Sequence, residues 1–184
     1  EQNNSNFFTH IIVGAGAAGC VLASRLSENK NFKILLLEAG GSGKFDPTLK
    51  VPLMTSLLLR GKRRMWNFKT NPESALNNRE IDLPRGKVLG GSTSVNGMLY
   101  ARGLSHDYNL WSQLGMPEWS WQSVRPFFLK SENYLGDSIS NDHNRNGELA
   151  VSKRKRPVSP LAETYVEAGI SAGYPRLNDF NTEN

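Results

Sequence analysis

His10-Ile11-Ile12-Val13-Gly14-Ala15-Gly16-Ala17-Ala18-Gly19 is the stretch that decides the fold. Residues 7–14 read as a buried strand: short, apolar, β-branched and closed by glycine. Residues 17–27 read as a helix, with Leu22 and Leu26 one turn apart and small residues toward the strand. A second apolar run, Lys33–Glu38, reads as the next strand, and its near-continuous Ile/Leu character suits a parallel sheet covered on both faces. It ends in Glu38, nineteen residues after Gly19. Strand, glycine turn, helix, strand and acid together make the dinucleotide fingerprint in its required context. Gly14 permits the tight turn, Gly16 lets the backbone approach a pyrophosphate, and Gly19 lets the helix pack close to the strand. The phosphates would sit on the free N–H groups of the helix start. Glu38 is placed to accept hydrogen bonds from an adenosine ribose, and its charge disfavours a 2′-phosphate. The fingerprint alone leaves NAD and FAD both open.

The chain has 184 residues, 38% hydrophobic and 21% charged, enough for one domain with a sizeable core. No apolar run approaches the ~18 residues needed to span a bilayer. The start, Glu1-Gln2-Asn3-Asn4-Ser5-Asn6, lacks the basic-then-apolar pattern of a signal peptide, and the compartment stays open. A single cysteine excludes an internal disulfide, and Cys20 reads as a small buried side chain beside the glycine loop. The net charge of +5 comes largely from Arg60-Gly61-Lys62-Arg63-Arg64 and Lys153-Arg154-Lys155-Arg156. Neither cluster has the aromatic interleaving of a nucleic-acid surface, so both read as solvated loops and a nucleic-acid partner is not expected.

Ala39-Gly40-Gly41-Ser42-Gly43 reads as a turn. Residues 44–85 carry scattered Pro, Asn and Arg with one short apolar stretch, Leu53–Leu59, and read as a long excursion covering the cofactor edge. Ser105–Leu114 reads as a helix capped by Ser105 and stopped by Gly115. Ser120–Lys130 reads as another, with Val124, Phe127 and Phe128 on one face and Pro126 expected to bend or break it. Asp137–Gly147 reads as a polar loop. Ser159-Pro160 is an N-cap followed by proline at the first helical position, Leu161, Tyr165 and Ala168 are the expected buried stripe, and Gly173 is the stop.

A second glycine-rich segment runs from Pro84 to Gly103: Pro84-Arg85-Gly86-Lys87-Val88-Leu89-Gly90-Gly91-Ser92-Thr93-Ser94-Val95-Asn96-Gly97-Met98-Leu99-Tyr100-Ala101-Arg102-Gly103. Many backbone N–H groups with little side-chain bulk suit a loop laid against a flat ring and a diphosphate. Composition alone equally allows a structural turn.

This segment closely resembles the first signature of the glucose-methanol-choline (GMC) oxidoreductase family, which binds FAD. The resemblance covers nearly the whole chain. It includes Ile11–Gly19 and Leu35–Gly40, then Trp66-Asn67-Phe68, Thr70, Pro72 and Arg79. It continues through Asp107-Tyr108, Trp111, Gly115, Trp119-Ser120-Trp121, Pro126-Phe127-Phe128, Lys130 and Glu132. Gly147-Glu148-Leu149, Gly173-Tyr174-Pro175 and Asp179-Phe180-Asn181 complete it. The choline-dehydrogenase-like and aryl-alcohol-oxidase-like branches are the most similar. The resemblance implies an α/β fold: a Rossmann-like FAD-binding domain with a parallel sheet, incomplete in this chain. It implies that Gly14, Gly16, Ala17, Ala18 and Gly19 contact the FAD diphosphate and that Glu38 with Ala39 holds the ribose. Val88 and Ser92 would line the middle of the cofactor. Asn96, Gly97, Met98 and Leu99 would pass beside the isoalloxazine ring and donate main-chain hydrogen bonds near N5 and O4, favouring the reduced, anionic flavin.

Two departures matter. Some members attach FAD through a histidine before the signature asparagine; Val95 stands there, which implies non-covalent FAD. Members also run to several hundred residues, with the substrate domain and catalytic base in their C-terminal part. The chain thus looks like the N-terminal third of such an enzyme, a fragment, a split product or the ordered part of something longer, divided as 1–43 βαβ unit, 44–85 excursion or lid, 86–103 flavin signature and 104–184 helical start of the substrate side. His10, His106 and His143 match no catalytic position and read as structural or solvated, so no catalytic residue and no metal ligand is assigned. The implied activity is oxidation of an alcohol CH–OH by hydride transfer to flavin N5, with oxygen or another electron acceptor and a homo-oligomer possible. The competing readings are an FAD-containing hydroxynitrile lyase of the same family, a non-catalytic structural or interaction protein on the same fold, and an NAD-dependent dehydrogenase, which leaves the second glycine motif unexplained.

Overall fold

A computed structural model of the chain describes residues 7–137, 140–153 and 159–182. The polypeptide divides into two compact units, residues 1–99 and 100–184.

In the first unit, strand β1 (His10–Val13) pairs in parallel with β2 (Ile34–Leu37), Ile11 opposite Leu35. Helix α1 (Ala17–Ser27) crosses between them, over the residues its sequence indicated. Both strands are shorter than the apolar runs that announce them. Ile11 and Val13 are 60% and 83% exposed, because a two-stranded sheet covers neither of its faces fully. Asp46 caps a 3-10 turn at Pro47–Leu49, and helix α2 (Thr55–Arg60) follows. The excursion then contains a hairpin that the sequence reading did not resolve: β3 (Met65–Lys69) runs antiparallel to β4 (Asp82–Gly86), Trp66 opposite Arg85. The core is small, with Leu58, Met65, Val88 and Val95 packed together and Leu49 against them. Arg64 is not a solvated cation: its Nε donates to Asp46 at 2.9 Å, and both side chains are largely buried. Lys62 and Arg63 are exposed, whereas Arg154, Lys155 and Arg156 of the second basic cluster lie outside the described residues.

In the second unit, α3 (Ser105–Gln113) and α4 (Trp121–Ser131) carry an aromatic cluster in which Tyr108 meets Trp111, Trp121 and Phe128 edge-on or tilted at 5.4–5.8 Å. Strands β5 (Glu132–Tyr134) and β6 (Leu149–Val151) pair in parallel, and α5 (Pro160–Ser171) follows. Ser159 caps α5 as its sequence indicated, accepting from Ala162 N–H at 3.3 Å. Three expectations are corrected. Ser105 is the first helical residue of α3, not its cap; Leu104 takes that place, and Asp107 accepts the Leu104 N–H at 3.3 Å. Pro126 does not break α4, which runs on to Ser131; the missing N–H removes only the bond to Gln122. Leu161 and Tyr165 are 76% and 81% exposed and Ala168 is exposed too, so they form no buried stripe. Among the described residues of this unit, α5 lines an open cleft with Tyr174, Pro175, Leu177 and Phe180 and pairs Glu163 and Glu167 with Arg176, which leaves that stripe uncovered.

Side-chain polarity organises the rest of this unit. Glu132 is fully buried beside Arg102 and His143. Arg102 donates to the Asp142 carbonyl at 2.7 Å and accepts nothing, while its own backbone N–H bonds Asn181 Oδ1 at 2.9 Å. His143 is buried and stacked on Tyr134, with ring centroids 4.0 Å apart. His10 lies in β1 against Phe32, and His106 is exposed on α3.

Candidate functional site

The site begins with the start of α1. The first N–H groups of any helix lack intrahelical partners. Here Gly16 occupies the cap position and supplies no side-chain acceptor, and the first turn holds no acidic residue. The N–H groups of Ala17, Ala18 and Gly19 therefore have no capping acceptor, and the helix dipole favours negative charge in front of them.

Gly19 and Gly16 do different things. A Cβ on Gly19 would stand 2.0 Å from the Gly14 carbonyl oxygen, so only glycine lets the helix lie on the turn. A Cβ on Gly16 would meet nothing within 4 Å; it would project into open space. That space is a cleft of about 640 Å³ lined by Val13, Gly14, Gly16, Leu37, Glu38, Ala39, Trp66, Gly86, Gly91 and Ser92. The fingerprint and the second glycine segment therefore face one cavity.

They are also stitched together. Gly90 N–H donates to the Ala15 carbonyl at 2.7 Å. Gly91, at φ +58°, brings its backbone so close to Gly16 that an added Cβ would lie 2.9 Å from Gly16 Cα. Leu89 N–H donates to Gly41 at 3.1 Å, joining the turn after β2 to the same segment. Glu38 ties the remaining corner: one carboxylate oxygen accepts Ala15 N–H at 2.9 Å, the other Gly40 N–H at 2.8 Å. Each oxygen keeps a further lone pair for a hydroxyl donor.

Not all the expected residues share this cavity. Val88 is fully buried, its side chain in the core with Leu58, Met65 and Val95. The Ser92 hydroxyl accepts Gly86 N–H at 3.0 Å at the cavity wall. Asn96 and Met98 border a smaller cleft of about 290 Å³ with Leu89, Thr93, Ser94 and the 42–52 segment. Gly97 and Leu99 are exposed beside them. Cys20 is half-buried, its thiol donating to the Ala15 carbonyl at 3.3 Å.

Two contributors had no clear sequence signal. Trp66 lines the main cavity, with the Lys87 ammonium 4.2 Å from its ring centroid. The alternation Trp66-Asn67-Phe68 was the available hint, but Pro84 in the partner strand hid the hairpin. Ala15, between two fingerprint glycines, acts through its main chain alone. Among the described residues, no cluster of three or more His, Cys, Asp or Glu is arranged to hold a metal, and no helix is long and apolar enough to cross a membrane.

The sequence profile of the GMC oxidoreductase family matches residues 8–184. The chain belongs to the GMC oxidoreductase family. It is 45% identical over 177 residues to the oxygen-dependent choline dehydrogenase of Escherichia coli K12, covering 95% of this chain and 32% of that enzyme. Among solved structures, pyridoxine 4-oxidase from Mesorbium loti superposes with a TM-score of 0.81 at 34% identity, over 91% of this chain and 33% of that one. A formate oxidase variant from Aspergillus oryzae RIB40 gives a TM-score of 0.81 at 30% identity, over 95% of this chain and 32% of that one. The chain thus spans about a third of the length of the relatives it matches. GMC oxidoreductases bind FAD, and this chain is a Rossmann-like part of the FAD-binding domain. The free helix-start amides, the open space over Gly16 and the acid at the end of β2 fit the diphosphate and ribose of that cofactor.

Proposed function

We propose that this chain forms the FAD-holding part of an oxidoreductase that oxidises the CH–OH group of a small alcohol. The observation that carries the reading is the meeting of two glycine segments, some seventy residues apart in sequence, on one cavity. FAD, when bound, supplies the acceptor for the hydride that leaves the alcohol carbon. This chain's residues do the rest of the binding. Ala17, Ala18 and Gly19 offer their N–H groups to the diphosphate, with Gly14 and Gly16 giving it room. Glu38 and Ala39 hold the adenosine ribose. Val88 holds the second segment in the core while Ser92 faces the cofactor's middle. Asn96, Gly97, Met98 and Leu99 lie beside the flavin ring, where the main-chain donors that the segment does not use itself favour the reduced anionic state. None of the three histidines serves as the base. In the same reading, the division 1–43, 44–85, 86–103 and 104–184 separates nucleotide unit, excursion, flavin segment and substrate side. Val95 before Asn96 gives FAD no histidine to attach to, so the cofactor is held without a covalent bond.

The test uses the full-length protein. Its visible flavin absorbance should bleach anaerobically on adding a primary alcohol such as choline, and oxygen or an artificial acceptor should restore it. Acid precipitation should leave the flavin in the supernatant. Cyanohydrin cleavage without bleaching would replace this reading with a lyase. A colourless protein that fails to take up added FAD would end it.

A further inference from the structure

The flavin segment contains a backbone conformation that its sequence does not favour. Three non-glycine residues among those described have positive φ: Asn77, Asn78 and Met98. Asparagine tolerates the left-handed region because its short side chain bonds the local backbone; methionine has no such means. Met98 nevertheless sits at φ +57° with its side chain 60% exposed, so no packing holds it there. What does hold it is two residues away: Asn96 Oδ1 accepts the Met98 N–H at 2.9 Å. Backbone strain of this kind persists where surrounding structure imposes it and collects at functional sites.

The bond also decides which amides are available. Met98 N–H is used by Asn96, whereas among the described residues nothing receives the N–H of Gly97 or Leu99. A Cβ on Gly97 would meet nothing within 4 Å, so that amide is unobstructed.

We propose that Asn96 is a positioning residue: its carboxamide, by holding the Met98 amide, sets the left-handed turn that presents the Gly97 and Leu99 N–H groups to the flavin ring. The inference rests on the FAD reading above. It departs from a simple contact role, because the Asn96 side chain acts through Met98, and Met98 N–H is not a cofactor donor.

The experiment is a double-mutant cycle in the full-length protein, read by FAD dissociation constant, flavin visible spectrum and two-electron reduction potential. Asn96→Ala should weaken FAD about five- to tenfold, the size of one lost hydrogen bond, and lower the potential. Met98→Gly reaches φ +57° without help. In that background Asn96→Ala should therefore change affinity by less than about twofold and leave the potential unmoved. Asn96→Ser, whose hydroxyl can also accept an amide two residues on, should restore part of the loss. If Asn96→Ala costs as much in the Met98→Gly background as it does alone, the inference is overturned and the side chain is assigned a direct contact instead; an Asn96→Ala protein with unchanged affinity and spectrum would overturn it as well. If the unmodified protein takes up no FAD, the underlying reading fails and this inference with it. Thermal melts of every variant separate cofactor effects from folding, and because Asn96 is exposed the Met98→Gly and Asn96→Ser proteins remain informative if Asn96→Ala folds poorly.

Discussion

Glu132 and Arg102, thirty residues apart, form a buried ion pair: Arg102 Nη2 donates to Glu132 Oε2 at 2.8 Å, with the two side chains 0% and 2% exposed. The same carboxylate takes Asn144 N–H at 3.1 Å and faces His143 Nδ1 at 3.1 Å. Charges so deep are stable only while every partner stays in place. Arg102→Met would leave Glu132 buried and uncompensated, a loss of about 3–5 kcal/mol. Chemical denaturation should show it as a fall in midpoint. A midpoint matching the unmodified protein would mean that the pair does not hold this unit together.

Gly16 and Gly19 should separate binding from folding. Gly19→Ala places a methyl 2.0 Å from a backbone oxygen that cannot move without unseating the turn, so the protein should be insoluble or melt far lower. Gly16→Ala adopts the same φ −77° and meets no atom. Its stability should change by about 1 kcal/mol or less, the cost of alanine at a cap. FAD retention should nonetheless collapse, because the methyl fills the cleft. Thermal melts alongside flavin content check both halves.

Acid should release the turn at Pro47–Leu49. The Thr48 hydroxyl, at 2.5 Å, and then Arg64 hold the Asp46 carboxyl below its ordinary value of 3.8. A depressed carboxylate contributes stability that is present above its unfolded value and lost as pH falls through the folded one. Exchange protection of the Asp46, Thr48, Leu49 and Lys50 amides, corrected for intrinsic rate, should therefore drop only below about pH 4, given the ordinary carboxylate value. In Asp46→Asn it should be low throughout.

Alkali acts on the other unit through Tyr134. Burial first, then the charges of Asp179 and Glu132, raise its phenol above the ordinary value of 10.0. Its contribution is complete below that value and lost as pH climbs toward the folded one, because the unfolded phenol ionises first. An ultraviolet pH titration should find a late-ionising tyrosine that Tyr134→Phe removes. A tyrosine population ionising wholly at the ordinary value would contradict the burial.

What the sequence made legible was local. Helix α1 follows from glycine, small residues and Leu22/Leu26 spacing, and α5 from Ser159-Pro160, since caps and periodicity act within a few residues. Glu38 was legible because the βαβ unit fixes its distance from Gly19. The hairpin was not: Pro84 reads as a strand breaker, yet it sits opposite Asn67, where the N–H it lacks is dispensable. Nor was the Arg102–Glu132–His143 cluster legible. Its members lie far apart in sequence, and each alone resembles an ordinary surface residue. The exposed face of α5 shows the converse error, in which an apolar stripe promises burial that the neighbouring elements do not supply.

The anchoring of Glu38 to Ala15 and Gly40 has an evolutionary consequence. Many nucleotide-binding proteins trade one coenzyme for another by replacing the acid at this place with a neutral or basic residue. With Glu38 in the ribose role proposed above, that single codon change would also untie two loops from each other, so a switch of preference would need compensating replacements elsewhere before any intermediate could survive selection.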